Sequence, residues 1–259
     1  MIFETHSHYD DEAFAEDRAK LLAALPSAGI GRIINVGASI ESTKTTLKLA
    51  EDYSHVYAAV GVHPSEVSDL NEENFAWLRA QTAHPKVVAV GEIGLDYYWD
   101  KEEAVQRCQR EWFRRQLALA RESGLPVIIH SRDAAEDTMA ILKETSEGKE
   151  AVGVIHCYSY SPEMAAEFVK LGYYIGVGGV VTFKNARKLK ETVEQTPLER
   201  ILLETDCPYM APEPHRGTRN DSSYLIHVAD KIAELKGVTR EEVERVTWEN
   251  ALTLFKRSV

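Results

Sequence analysis

The first residues with chemistry to offer are His6 and His8, two positions apart. On a β-strand the i, i+2 spacing places both imidazoles on one face. Two neutral imidazoles converging with carboxylates from other strands suit an ion such as Zn, Mn, Fe or Ni. Further candidates follow at His63, Glu92, His130, His156 and Asp206. The steps from His63 to Glu92, His130 and His156 are 29, 38 and 26 residues, each the length of one strand–helix unit. Each candidate ends a short apolar, β-branched stretch. Five of the nine histidines stand at such ends, which random placement explains poorly.

Four histidines and two carboxylates exceed the three protein ligands usual for one catalytic zinc. They suit two ions about 3.5–4 Å apart. His6, His8, Glu92, His130, His156 and Asp206 are therefore the expected ligands. Glu92 is mid-ring and bridges. His6, His8 and Asp206 are assigned to one ion, His130 and His156 to the other. Glu92 and Asp206 are also the candidate catalytic carboxylates, with Asp206 placed to orient or deprotonate the attacking water. Glu204, two residues before Asp206, shares its face one layer deeper. It reads equally as support for a ligand or as a buried structural carboxylate.

The elements that must carry these residues form a run of strand–helix units. Strands are predicted at 2–8, 32–37, 56–63, 87–95, 126–131, 152–158, 173–179 and 201–206. Helical patterns lie between them. Ala13–Leu25 carries Phe14, Leu21, Leu22 and Leu25. Glu102–Ser123 is stopped by Gly124 before Pro126. Thr239–Phe255 has Thr239 as N-cap and Glu242 completing a capping box. Alternation of strands and helices implies parallel pairing through right-handed crossovers. Runs such as Val87–Val90 are apolar throughout, as strands covered on both faces are. Eight strands in 259 residues predict an α/β fold, a (β/α)8 TIM barrel forming a single domain over residues 1–259. Active sites of such barrels lie at the C-terminal strand ends, where the candidates fall.

Composition narrows the function. Hydrophobic residues are 44% and charged residues 27%, ordinary for a globular chain. Acidic residues number 41 against 30 basic, a net charge of -11. That excludes broad coating of DNA, which needs many Lys and Arg on phosphates, but not a local phosphate-directed site. The three cysteines, Cys108, Cys157 and Cys207, form no C-x-x-C pair, and a reducing cytoplasm is expected. Cys157 and Cys207 each follow a ligand, so strand alternation points both thiols away from the site. No secretory signal and no apolar run of the ~18 residues that span a bilayer is present.

Seven ordered segments carry a resemblance. They are T-H-S-H at 5–8, G-V-H-P at 61–64, V-G-E-I-G-L-D-Y-Y at 90–98, I-I-H-S-R-D-A at 128–134, H-C-Y-S at 156–159, E-T-D-C-P-Y at 204–209 and H-R-G-T-R-N at 215–220. Together they resemble the TatD family of metal-dependent deoxyribonucleases, from residue 2 to about 256. The resemblance implies a TIM-barrel hydrolase with a two-metal site that cleaves phosphodiesters of DNA. Its ligands map onto His6, His8, Glu92, His130, His156 and Asp206. It also places His63 near the substrate phosphate, although His63 reads alternatively as a cap on the barrel mouth. One departure stands out. The family commonly has an acidic residue and Pro after Arg-Asn, whereas this chain has Asp221 and Ser222, which puts the rigidity of that loop in question.

Other substrate contacts are expected from Arg132, His215, Arg216 and Arg219. Arg132 lies two residues past His130 and can hold a phosphate bidentately, or pair with Glu204 or Asp96. His215, Arg216 and Arg219 form a basic loop after strand eight, a phosphate-binding position in these barrels. Lys184, Arg187, Lys188 and Lys190 read as a solvated face. Asp96 is expected to hold its loop. Trp77, Trp112 and Trp248 are expected in the core, and Trp99 to stand beside strand four as a base-stacking wall. His55, His84 and His227 belong to no constellation and read as surface residues.

The function expected is a deoxyribonuclease using two divalent ions (Mg, Mn or Zn), exonucleolytic on single-stranded DNA ends, with no membrane and no obligate protein partner. The alternative is an amidohydrolase-type enzyme acting on an amide, ester or phosphotriester. Strand four separates them, because a carbamylated Lys commonly bridges in those relatives and Glu92 stands here. A metal-dependent interaction protein without catalysis is a third class, favoured by no sequence feature.

Overall fold

The computed structural model describes residues 1–146 and 152–258. Eight strands build the wall: β1 (Ile2–Ser7), β2 (Ile30–Val36), β3 (Val56–Val60), β4 (Val87–Asp96), β5 (Val127–Arg132), β6 (Gly153–Ile155), β7 (Tyr174–Val177) and β8 (Ile201–Leu203). Neighbours pair in parallel in chain order, β1 through β8. The ring closes where β1 meets the chain just past β8. There Ser7 bridges Cys207 in parallel. The His8 N–H donates to Cys207 O at 2.9 Å and the Asp206 N–H to His6 O at 3.0 Å. This is the (β/α)8 barrel that the apolar runs predict.

The helices are α1 (Arg18–Ala24), α2 (Ile40–Asp52), α3 (Glu72–Gln81), α4 (Glu103–Ser123), α5 (Ala135–Ser146), α6 (Pro162–Lys170), α7 (Arg187–Gln195), α8 (Leu225–Lys236) and α9 (Arg240–Leu254). None of the described helices is long and apolar enough to cross a membrane. Gly124 ends α4 in the left-handed region at φ 65, as expected of a C′ glycine.

Several boundaries differ from the sequence pattern. The helix expected from Ala13 begins at Arg18, because Asp11 first caps a short 3-10 turn at Glu12–Phe14. At α9, Thr239 accepts from the Glu242 N–H at 3.2 Å. The box stays half-formed, because the Glu242 carboxylate turns to Arg245 at 2.7 Å. Strands three, six, seven and eight stop earlier than 63, 158, 179 and 206. Past two of these ends the backbone leaves the ladder: Cys157 has φ 44 and Asp206 φ 55. Such conformations cost energy in non-glycine residues and cluster at functional sites.

Two packed layers hold the wall. Ile33, Val127, Ile129, Ile155 and Val177 join the helices in the larger buried cluster. The opposite parity, Val88, Ile128, Val154 and Leu202, packs with Ala251 and Leu254 of α9 and with Phe255 just beyond it in a smaller one. These four lie two or four residues before Glu92, His130, His156 and Asp206 on the same strands. An apolar plug therefore floors the site.

Candidate metal centre

The site is assembled from five strands and the residues just beyond them. His6 and His8 come from β1 and its exit, Glu92 from β4 and His130 from β5. His156 and Asp206 lie just beyond β6 and β8. Three sets of donors have ligand atoms within 4.8 Å of one another: His6, His156 and Asp206; His6, His8 and Glu92; His63, Glu92 and His130. All six residues that the sequence marks as ligands contribute, and His63 joins them.

Glu92 is 4% exposed and stands at the centre. Its Oε2 lies 3.5 Å from His6 Nε2 and 3.7 Å from His8 Nε2. Its Oε1 lies 2.7 Å from His130 Nδ1 and 3.0 Å from His156 Nε2. Asp206 Oδ1 faces His8 Nε2 at 3.4 Å and His6 Nε2 at 3.6 Å. His6 and His156 stack, with centroids 3.7 Å apart and planes at 16°. His6 therefore lies beside both the β1/β8 group and His156 of the β5/β6 group, while Glu92 keeps one oxygen toward each. The facing walls of the barrel interior bring these two rings together across the strand order.

Orientation comes from a surrounding set of hydrogen bonds. His8 Nδ1 lies 2.9 Å from the Val36 carbonyl, which puts the neutral ring's proton on Nδ1 and its lone pair on Nε2. His130 Nε2 meets Asp96 Oδ2 at 3.0 Å, and His156 Nδ1 faces Glu204 Oε1 at 3.5 Å. Carboxylates behind ligand imidazoles are the usual support of a metal site. Glu204 is 1% exposed and also accepts the Cys157 N–H. His63 differs: its Nδ1 accepts the Ser65 N–H at 3.1 Å. That leaves the proton of the neutral ring on Nε2, a donor 3.9 Å from Glu92 Oε1. Burial pushes His63 down to about 4, so it is neutral at pH 7.

Charge balance fits a cation. Burial opposes ionisation of Glu92, but the His156 and His63 imidazoles and hydrogen bonds from His130 and His156 outweigh it and hold the carboxyl well below its usual range. Burial also works against a charged His8, yet Asp206 pulls it up to about 9. The carboxylates thus draw positive charge into the cluster, and several imidazole nitrogens converge on them. The donor set, N and O only, suits a divalent ion, so the residues present fit one.

The other expected contacts divide. Arg132 is exposed and pairs with neither Glu204 nor Asp96; its guanidinium lies over the Tyr98 ring at 4.0 Å. Arg219 departs from its expected substrate role. It forms two 2.7 Å bonds to Asp17 and one to the Ala13 carbonyl, because Asp17 at the start of α1 lies directly opposite. Arg216 lies over Phe183 at 4.3 Å, and His215 stacks on Tyr224 at 4.0 Å. Asp96 does hold its loop, accepting from the N–H groups of Tyr98 and Trp99. Trp112 is buried and Trp99 67% exposed. His55, His84 and His227 are half-buried rather than free on the surface. Cys207 is buried in the core, while the Cys157 thiol rests 3.9 Å from Met210 Sδ. Glu4 was not marked by the sequence reading. It is fully buried, and its position two residues before His6 was the available signal.

An eight-stranded parallel barrel with imidazoles and carboxylates gathered at its mouth defines the class of (β/α)8 metal-dependent hydrolases. The chain belongs to the TatD related DNase family, whose model matches residues 3–256. It is 47% identical over 257 residues to the uncharacterised metal-dependent hydrolase YabD of Bacillus subtilis strain 168, covering 99% of both chains. The crystal structure of YjjV, a TatD homologue from Escherichia coli K12, superposes with a TM-score of 0.92 at 35% identity, covering 98% of each chain. A phosphotriesterase homology protein from Escherichia coli shares the fold, with a TM-score of 0.72 at 15% identity and 98% coverage of each.

Proposed function

We propose that the protein is a deoxyribonuclease that uses two divalent ions to hydrolyse phosphodiester bonds, acting exonucleolytically on single-stranded DNA in the cytoplasm. The observation that carries this reading is the division of Glu92, whose two oxygens face two different imidazole sets. One carboxylate between two sets of imidazole nitrogens is an arrangement that would suit a pair of ions. The family supplies the substrate class.

His6, His8, Glu92, His130, His156 and Asp206 are the residues that would hold the ions. Mg, Mn or Zn there would supply positive charge against the negative charge that develops on the phosphoryl oxygens. The chain's own groups do the rest. Asp206 is more open than Glu92, its side chain 17% exposed against 5%. Solvent reaches it, so its carboxylate orients the attacking water and takes its proton. His63 holds a proton on Nε2 and donates it as a hydrogen bond to a phosphoryl oxygen. Arg132 and Arg216, both exposed at the mouth, hold the flanking phosphates. The acidic centre lies inside the barrel end, where a single strand reaches more easily than an intact duplex.

Purified protein with Mn or Mg and an end-labelled oligonucleotide tests this. Stepwise shortening of the single strand is expected, abolished by chelation and by Glu92→Ala. Absence of cleavage, undiminished cleavage by Glu92→Ala, or turnover of amides or lactones in place of DNA overturns it.

A further inference from the structure

Just outside the imidazole ring the chain exposes two aromatic side chains. Tyr98 is 42% and Trp99 67% exposed, and their rings meet edge to face with centroids 4.7 Å apart. Their backbone is fixed. Both N–H groups donate to Asp96 Oδ1 at 3.0 Å, and the other oxygen of Asp96 meets His130 Nε2 at 3.0 Å. A single carboxylate thus ties the aromatic turn to an imidazole of the candidate metal centre.

Cations lie on the same rings. Arg132, two residues past His130, places its guanidinium 4.0 Å from the centre of Tyr98 and 5.5 Å from that of Trp99. Lys101 Nζ lies 5.6 Å from the Tyr98 ring. Neither cation has a carboxylate partner among the described residues, unlike Arg219 in the grip of Asp17. Flat exposed rings beside uncommitted positive charge suit a ligand with a π-face and an adjoining anion. An unpaired nucleobase on its phosphate backbone has both.

We propose that Tyr98, Trp99 and Arg132 form a subsite for an unpaired base of the bound strand, the base stacking on Trp99 and the neighbouring phosphate held by Arg132. The proposal rests on the nuclease reading and adds a base-dependent contact to it. It gives the enzyme a preference for strands with intact bases, without hydrogen-bond readout of their identity. Every base has a π-face, so the preference is tolerant of sequence.

Two chains of equal length and charge test it with the metal-loaded protein: a labelled thymidine oligonucleotide and its abasic counterpart. Phosphorothioate versions, which resist hydrolysis, report binding by fluorescence anisotropy. The wild type is expected to bind the thymidine chain about tenfold more tightly, the effect of one base–aromatic stack. Trp99→Ala removes that preference, and Trp99→Phe keeps most of it. Arg132→Ala weakens both chains alike. With hydrolysable chains, Trp99→Ala raises KM for the thymidine chain and leaves its kcat near that of the wild type. Equal binding of both chains by the wild type, or an undiminished preference in Trp99→Ala, overturns the subsite. Equal cleavage of both chains removes the subsite and leaves the nuclease standing. Base-dependent binding without any cleavage removes the nuclease and leaves the subsite.

Discussion

Ser222 reaches into the barrel wall and donates its hydroxyl to Glu4 Oε2 at 3.0 Å. The same hydroxyl oxygen lies 2.7 Å from the Tyr9 phenol, and Glu4 also receives the N–H groups of His6 and Thr205 and the Thr205 hydroxyl. Ser222 occupies the position where the sequence departs from its family. It answers the question of rigidity raised there: a buried hydrogen bond fixes this loop to the strand that bears His6 and His8.

Glu4 makes stability fall as pH rises. Burial lifts its carboxyl to about 8, against the hydrogen bonds from Thr205 and its neighbours that lower it. The folded chain therefore holds a proton that the unfolded chain releases near its ordinary value of 4.5. The stabilisation is complete below that ordinary value and is lost progressively up to about 8, amounting to a few kcal/mol. Urea midpoints measured across this range are expected to decline, and Glu4→Gln is expected to flatten the decline. An equal slope in both proteins contradicts this assignment.

Asp96 is expected to act through His130. In Asp96→Asn the oxygen that accepts from Tyr98 and Trp99 can be kept, but an amide N–H then faces His130 Nε2–H. Losing such a support lowers metal affinity about 10- to 100-fold. Competition against a chelator measures it, and an unchanged affinity contradicts the role.

The legible part of this protein is the part written in local pattern. Continuous apolar runs identify parallel strands, and His130 or Glu92 at the end of such a run needs no knowledge of its neighbours to be read as a mouth residue. What faces what across the interior is a different matter. It depends on strand tilt and register, so the stacking of His6 on His156 was hidden, as was the approach of His63 to Glu92. Arg219 illustrates the same limit: its spacing suggests phosphate, but Asp17 sits opposite it only in the folded chain.

Gly94 and Gly124 are expected to respond differently to a methyl group. At Gly124, with φ 65 and nothing within 4 Å, Ala costs about 1–2 kcal/mol through its left-handed backbone alone. At Gly94, with φ 147, the new Cβ would stand 1.9 Å from the His130 carbonyl oxygen. No side-chain rotation relieves a backbone clash, so the loss is expected to exceed about 4 kcal/mol, beyond the usual range of point substitutions. Melting temperatures rank the two variants, and equal values contradict the geometry.

Arg132 and Arg219 are predicted to separate in kinetics. Arg219→Ala breaks a partly exposed ion pair with Asp17 and is expected to leave kcat/KM on single-stranded DNA within about twofold. On the proposed role of Arg132, Arg132→Ala would remove a charged contact to phosphate, and a loss of about tenfold or more is expected. Parallel assays of the two variants decide it. Equal losses would return Arg219 to the substrate path.

The closure of the ring has a consequence for how this enzyme comes into being. His6 and His8 lie far upstream of Asp206 in the chain, and Asp206 joins them only when the segment after β8 docks on β1. Contacts between such distant parts of a chain form after local ones, because the intervening loop must first be closed. Partial chains lack the last carboxylate and its seam. Closing the barrel and completing the candidate donor set are thus one and the same event.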